Sequence, residues 1–133
     1  SVFPGVIAHD FHKKEALYNQ YLQQVERQRQ RGWQIQKGWL TEPVASEPTV
    51  FRVAARTRAG EPLAGATVTG RFLRPSGSAL DVPFTLAEQE PGVYEAALAL
   101  PAAGAWNLVL QVRQGKEWHE ISANTTVGDG KGR

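Results

Sequence analysis

The 133-residue chain has no cysteine and no methionine. The first absence excludes disulfides and thiolate metal sites. Together they remove the soft sulfur ligands that a copper(I) carrier ordinarily offers. No run of about 18 apolar residues occurs, so no segment reads as a bilayer-spanning helix. The richest apolar stretch, Ala96–Leu100, stops at Pro101. No secretory leader is visible. Charge of one sign is also scarce: the formal net charge is +2, too small to point to nucleic acid. The chain has no Gly-x-Ser-x-Gly elbow and no Gly-rich loop opening a helix. Its carboxylates Asp81, Glu88, Glu90 and Glu95 fall in turns or on outward strand positions, where solvation rather than acid–base work is expected. The residues therefore read as those of a protein that is not an enzyme.

What is present divides by period. After a lead-in of residues 1–9, Asp10 can cap a helix by accepting from a free backbone N–H. Phe11, Tyr18, Leu22 and Val25 then recur at spacings of seven, four and three, joined by Tyr21, which gives one apolar stripe on a polar cylinder. Gly32 is a natural stop, and Arg27, Arg29 and Arg31 suit the negative end of the helix dipole. A helix over residues 10–32 is expected, packed on a neighbouring surface, because propensity alone does not hold such a segment. Lys13, Lys14, Arg27, Arg29 and Arg31, against Glu15 and Glu26, read as a solvated face, with acidic lipid or an acidic partner as the alternative.

From Trp33 to Val127 the period drops to two. Trp33, Ile35 and Trp39 form one row and Phe51, Val53, Ala55 and Thr57 a second. Val68, Gly70 and Phe72 follow, then Val82, Phe84 and Leu86, then Tyr94, Ala96, Leu98 and Leu100. Trp106, Leu108, Leu110 and Val112 make the strongest row, and a last strand covers about residues 118–127. Gly60, Gly65, Pro75, Pro91-Gly92 and Gly104 separate them. About seven short strands without an intervening helix predict a mainly β chain, an immunoglobulin-like antiparallel sandwich over residues 33–127 with one N-terminal amphipathic helix. Residues 128–133 read as a flexible tail, and the whole as one domain.

Candidate ligands are few. His9 and His12 flank Asp10 and are the one candidate metal pair, with exposed histidines as the alternative. Trp106 belongs to the core; Trp33 and Trp39 share a face and are expected beneath the helix stripe. Exposed tryptophans in a row would instead suit a carbohydrate-binding or adhesive module. Asn124-Thr125-Thr126 has the form of a glycosylation acceptor, relevant only in a secreted eukaryotic setting.

Tyr18-Asn19, Leu22 and the Gly32-Trp33 pair resemble the segment that follows the membrane anchor in FixH proteins. Val68-Thr69-Gly70 with Arg74-Pro75, and Gly92-Val93-Tyr94-Glu95-Ala96-Ala97 leading to Gly104-Ala105-Trp106, look like the same family. The resemblance implies an anchor ahead of Ser1, an inner-membrane location and a domain facing the periplasm. It also implies an accessory role in maturation of cbb3-type cytochrome oxidase, beside a copper-transporting P-type ATPase, in nitrogen-fixing and other proteobacteria. Older descriptions of the family as a cation-transport component belong to the same implication. Phe11, Tyr18, Asn19, Leu22, Gly32 and Trp33 are then the family-motif or partner residues, and Asn19 suits a hydrogen bond to backbone beside the stripe. No resident cofactor is expected. A periplasmic copper carrier and an immunoglobulin-like ligand-binding module are the alternatives.

Overall fold

The computed structural model describes the backbone of residues 4–130 and the side chains of residues 13–77 and 80–130. The chain forms two compact units, residues 1–32 and 33–133. The first contains helix α1, Pro4–Arg31. It begins at Pro4 rather than at Asp10, so residues 4–9, expected as a lead-in, are helical. Proline suits this place because the first turn has no use for its missing N–H. The helix ends where the sequence indicates. Gly32 takes φ +68°, and its N–H donates to the Gln28 carbonyl at 3.2 Å, closing the last turn.

The second unit is mainly β: seven antiparallel strands in one curled sheet. They are β1 (Gln34–Trp39), β2 (Thr49–Arg56), β3 (Thr67–Arg74), β4 (Gly77–Glu90), β5 (Val93–Leu98), β6 (Gly104–Gln114) and β7 (Glu117–Val127). Their order across the sheet is β1-β2-β5-β4-β3-β6-β7. Fourteen-residue β4 is the corner. Val82–Leu86 pair with β3, and from Ala87 onward the strand pairs with β5. Pro83 lies in the half of β4 whose only ladder is with β3, where a missing donor is tolerated. The turn at β4 folds the β1-β2-β5 half over the β3-β6-β7 half, giving the sandwich.

The core between the halves is built from alternation. Phe51, Val53 and Ala55 of β2 point inward, as do Trp106, Leu108, Leu110 and Val112 of β6. Rings from both halves meet. Phe51 lies edge-on to Phe72 at 5.7 Å, and Phe84 stacks on Phe72 at 5.2 Å. Gly70 is where the Phe84 ring crosses β3, and a Cβ there would collide with it. Trp106 is fully buried; its indole N–H donates to the Ala102 carbonyl at 2.8 Å, and the Arg74 guanidinium sits 5.0 Å from its ring centre. Gly128, expected in the tail, is tied down: it accepts from the Ala45 N–H at 2.8 Å and donates to the Pro43 carbonyl at 3.0 Å.

Candidate interaction surfaces

Helix α1 carries an uncovered apolar face. Leu17, Tyr18 and Tyr21 are 61–62% exposed, and Leu22 and Val25 are 44–45% exposed. At about 100° per residue these five side chains span an arc of roughly 140°. Lys13, Arg27 and Arg31 fall on one border of the arc, Glu15 and Glu26 on the other, and Lys14 and Arg29 at its two ends. Glu26 is engaged by Arg29 at 2.6 Å, and that hydrogen bond holds its carboxyl below the usual range. Arg27 donates to Gln24 Oε1 at 2.9 Å, a neutral partner that leaves its charge uncompensated.

Of the residues singled out from sequence, Tyr18 and Leu22 lie on this face and Asn19 is exposed beside it. Gly32 is the helix terminator. The side chains of His9, Phe11 and His12 lie outside the described residues. Leu17 was not singled out; its place one residue before Tyr18, at the edge of the same arc, was the available signal. Among the described residues no three His, Asp or Glu side chains gather into a metal-binding group, and no helix is long and apolar enough to cross a membrane.

In the second unit the two edge strands approach each other. The Trp33 ring stacks on His119 with centroids 6.3 Å apart, and the Trp39 indole N–H donates to Thr125 Oγ1 at 3.0 Å. Both contacts join positions with the same sequence offset, so β1 and β7 run in the same direction across the seam. A parallel bridge between Val44 and Gly128 closes one end. The seam is thus fastened largely by side chains. It leaves a recess of about 250 Å³ lined by Lys37, Gly38, Trp39, Asn124 and Thr125 over Phe51 and Phe72. Trp39 lies edge-on to Phe51 at 5.1 Å and stacked on Phe72 at 5.3 Å.

A second polar arrangement fixes the loops where β2 ends and β5 begins. The fully buried Tyr94 hydroxyl donates to the Leu63 carbonyl at 2.6 Å and accepts from the Ala66 N–H at 3.0 Å. Burial raises its pKa, and the neighbouring Glu88 carboxylate adds to the rise. Glu88 accepts from the N–H of Gly92 at 3.1 Å and of Gly65 at 3.0 Å. The Gly92 bond does most to hold its carboxyl below the ordinary range. Glu88 is therefore a backbone anchor between two turns, a role invisible in local sequence. Glu95 is held by Arg52 at 2.6 Å. An open recess of about 490 Å³ lies among Thr41, Glu42, Val44, Glu47, Pro48 and Thr49.

The FixH family model matches residues 1–123, a span that includes α1 and the sheet into β7. Among solved structures, an engineered protein aligns at 14% identity and TM-score 0.52, over 71% of this chain and 20% of its own. A DUF4785 family protein from Legionella pneumophila aligns at 15% identity and TM-score 0.54, over 74% of this chain and 29% of its own. The chain thus corresponds to less than a third of either solved protein, and these likenesses speak to the fold alone. No curated protein matches the sequence.

Proposed function

The chain belongs to the FixH family, and from that membership we propose that it acts without catalysis, as the extracytoplasmic body of a membrane-tethered accessory protein. In this reading it faces the periplasm and aids assembly of a cbb3-type oxidase beside a copper-transporting P-type ATPase. The carrying observation is that one family match spans helix and sheet together, residues 1–123, so both units belong to what the family keeps.

The disposition of charged groups supports action by contact. Glu88 is committed to two backbone N–H groups, Arg52 to Glu95, and Arg74 to the Ala103 and Ala105 carbonyls. These polar groups hold strands and turns in place. They do not converge on a common point where a substrate could react.

The test is affinity capture of the tagged full-length protein from native membranes after mild crosslinking. An oxidase subunit or the copper pump is expected in the eluate. Recovery of neither, under conditions that preserve the assembled oxidase, would refute the reading.

A further inference from the structure

We propose that helix α1 lies along the surface of an anionic lipid bilayer, its Leu17–Val25 face in the headgroup–acyl boundary and its basic residues against lipid phosphates. The argument begins with exposure. Of the seven large hydrophobic side chains that stand out from the surface among the described residues, five are Leu17, Tyr18, Tyr21, Leu22 and Val25. Single exposed apolar residues are ordinary; five within nine positions on one arc of a helix form a patch. Two of the five are tyrosines, whose ring and hydroxyl suit a boundary between hydrocarbon and water.

Charge selects the occupant. Over residues 13–31 the helix carries five basic residues, Lys13, Lys14, Arg27, Arg29 and Arg31, against Glu15 and Glu26. Glu26 and Arg29 offset each other as an ion pair, so the stretch keeps a formal excess of three positive charges, five basic residues less two acidic. Lys14 stands at one end of the apolar arc, and its long stem lets the charged end rise to the headgroups while its methylenes stay with the lipid. A polar helix with one apolar arc, a basic border on one side of it and a net positive charge fits a membrane surface rather than a membrane interior. An acidic surface that is also apolar beneath is the chemistry this face complements, and anionic phospholipid supplies both layers at once.

This inference stands apart from the accessory role proposed above, because it concerns lipid and not the protein partner. The test is flotation of the 133-residue chain with neutral phosphatidylcholine vesicles and with vesicles containing roughly one third phosphatidylglycerol. Binding at least about tenfold stronger to the anionic vesicles is expected, falling as salt is raised. The L22S/V25S variant should lose most of the binding, and K14Q/R27Q should lose the anionic preference with the apolar arc intact. Tryptophan fluorescence checks each variant's β unit, since all four tryptophans lie at or after position 33. Equal binding to both vesicle types, no binding, or undiminished binding by L22S/V25S would overturn the proposal. So would concentration-dependent dimerisation that L22S/V25S abolishes, since a second copy would then be what covers the face. Failure here leaves the affinity capture unaffected, and failure of that capture leaves the vesicle result unaffected.

Discussion

Replacing Tyr94 by Phe removes a single oxygen from a side chain with no exposed surface. The ring still fills its place, so the cost is in hydrogen bonds alone. The Leu63 carbonyl, which accepts at 2.6 Å on a residue only 2% exposed, loses its hydroxyl partner in a place water does not readily reach. A stranded buried group of this kind costs about 1–3 kcal/mol. The Ala66 N–H, nearer the surface, loses a 3.0 Å bond worth about 0.5–1.5 kcal/mol. Y94F should therefore destabilise the β unit by about 2–4 kcal/mol, a large share of the 5–15 kcal/mol typical of a domain. Urea denaturation followed by tryptophan fluorescence reads this unit selectively, because α1 contains no tryptophan. With a urea slope of about 1–3 kcal/mol/M, the midpoint should drop by roughly 0.7–4 M. Y21F, which alters an exposed residue, should stay within about 0.5 kcal/mol of the parent. The pH dependence adds a second readout. The folded pKa of Tyr94 is raised, so its contribution is complete below the unfolded value of about 10 and is lost as pH rises through the folded value. Y94F should lack that alkaline component. A destabilisation under about 0.5 kcal/mol, or an unchanged alkaline limb, would refute the claim that this hydroxyl pins the β2–β3 connection.

Glu88 gives the opposite sign. Its folded pKa is depressed, so its contribution is present above the ordinary carboxyl value of about 4.3 and is lost as pH falls through the folded value. E88Q should flatten the acid side of the urea-midpoint profile; parallel profiles for the two proteins would count against the anchoring role. Gly92 has φ +81°, and a Cβ there would meet the Ala55 carbonyl oxygen at 2.8 Å, whereas Gly60 has φ +88° with open space around it. G92A should cost at least about 2 kcal/mol and G60A about 1 kcal/mol, and denaturation midpoints in the reverse order would sink the steric argument. Arg74→Leu removes two bonds to the Ala103 and Ala105 carbonyls and a cation over Trp106. A loss of about 1–3 kcal/mol with a shifted Trp106 emission is expected, and Arg74→Lys should recover part of it; no change in either measurement would contradict the packing described.

Most of the strand pattern was legible because burial alternates with the pleat. Phe51-Val53-Ala55 and Trp106-Leu108-Leu110-Val112 are inward in the sequence pattern and in the structure alike. The end of α1 was legible from Gly32, but its start was not. Asp10 is a good cap residue, yet Pro4 is equally good at a first turn, and periodicity does not choose between them. Partners across the fold were illegible for a different reason. Alternation says which face a side chain takes, not what lies opposite it. Glu88 read as an outward carboxylate, and only the topology brings Gly65 and Gly92 to it. Trp39 read as one of an alternating row, and only the curl of the sheet brings Thr125 and Phe72 to it. The single long β4 was likewise hidden, because its apolar alternation stops at Leu86 while the strand runs on through exposed residues 87–90 to pair with β5. Of the candidate surface, Tyr18, Tyr21, Leu22 and Val25 were found by spacing, and Leu17 was missed at the edge of the arc.

The seam between β1 and β7 bears on where a partner or a bilayer can be met. An open sheet edge offers unpaired N–H and C=O groups to any extended chain, so a sheet with two long free edges would be a natural place for strand addition. Here the two edges are turned toward each other. Trp33 on His119 and Trp39 on Thr125 span the gap, and the Val44–Gly128 bridge ties one end. A strand entering the seam would have to displace Trp39 from Phe51 and Phe72 and break its hydrogen bond to Thr125 before gaining a single ladder contact. Exposed α1 side chains face no such barrier: Leu17, Tyr18 and Tyr21 already stand more than half exposed. Desolvating them costs no internal contact, and at about 25 cal/mol per Å2 of apolar surface each covered side chain adds to association. The sheet is thus built to keep its edges occupied, and the helix face is where new contact is gained without first undoing the fold.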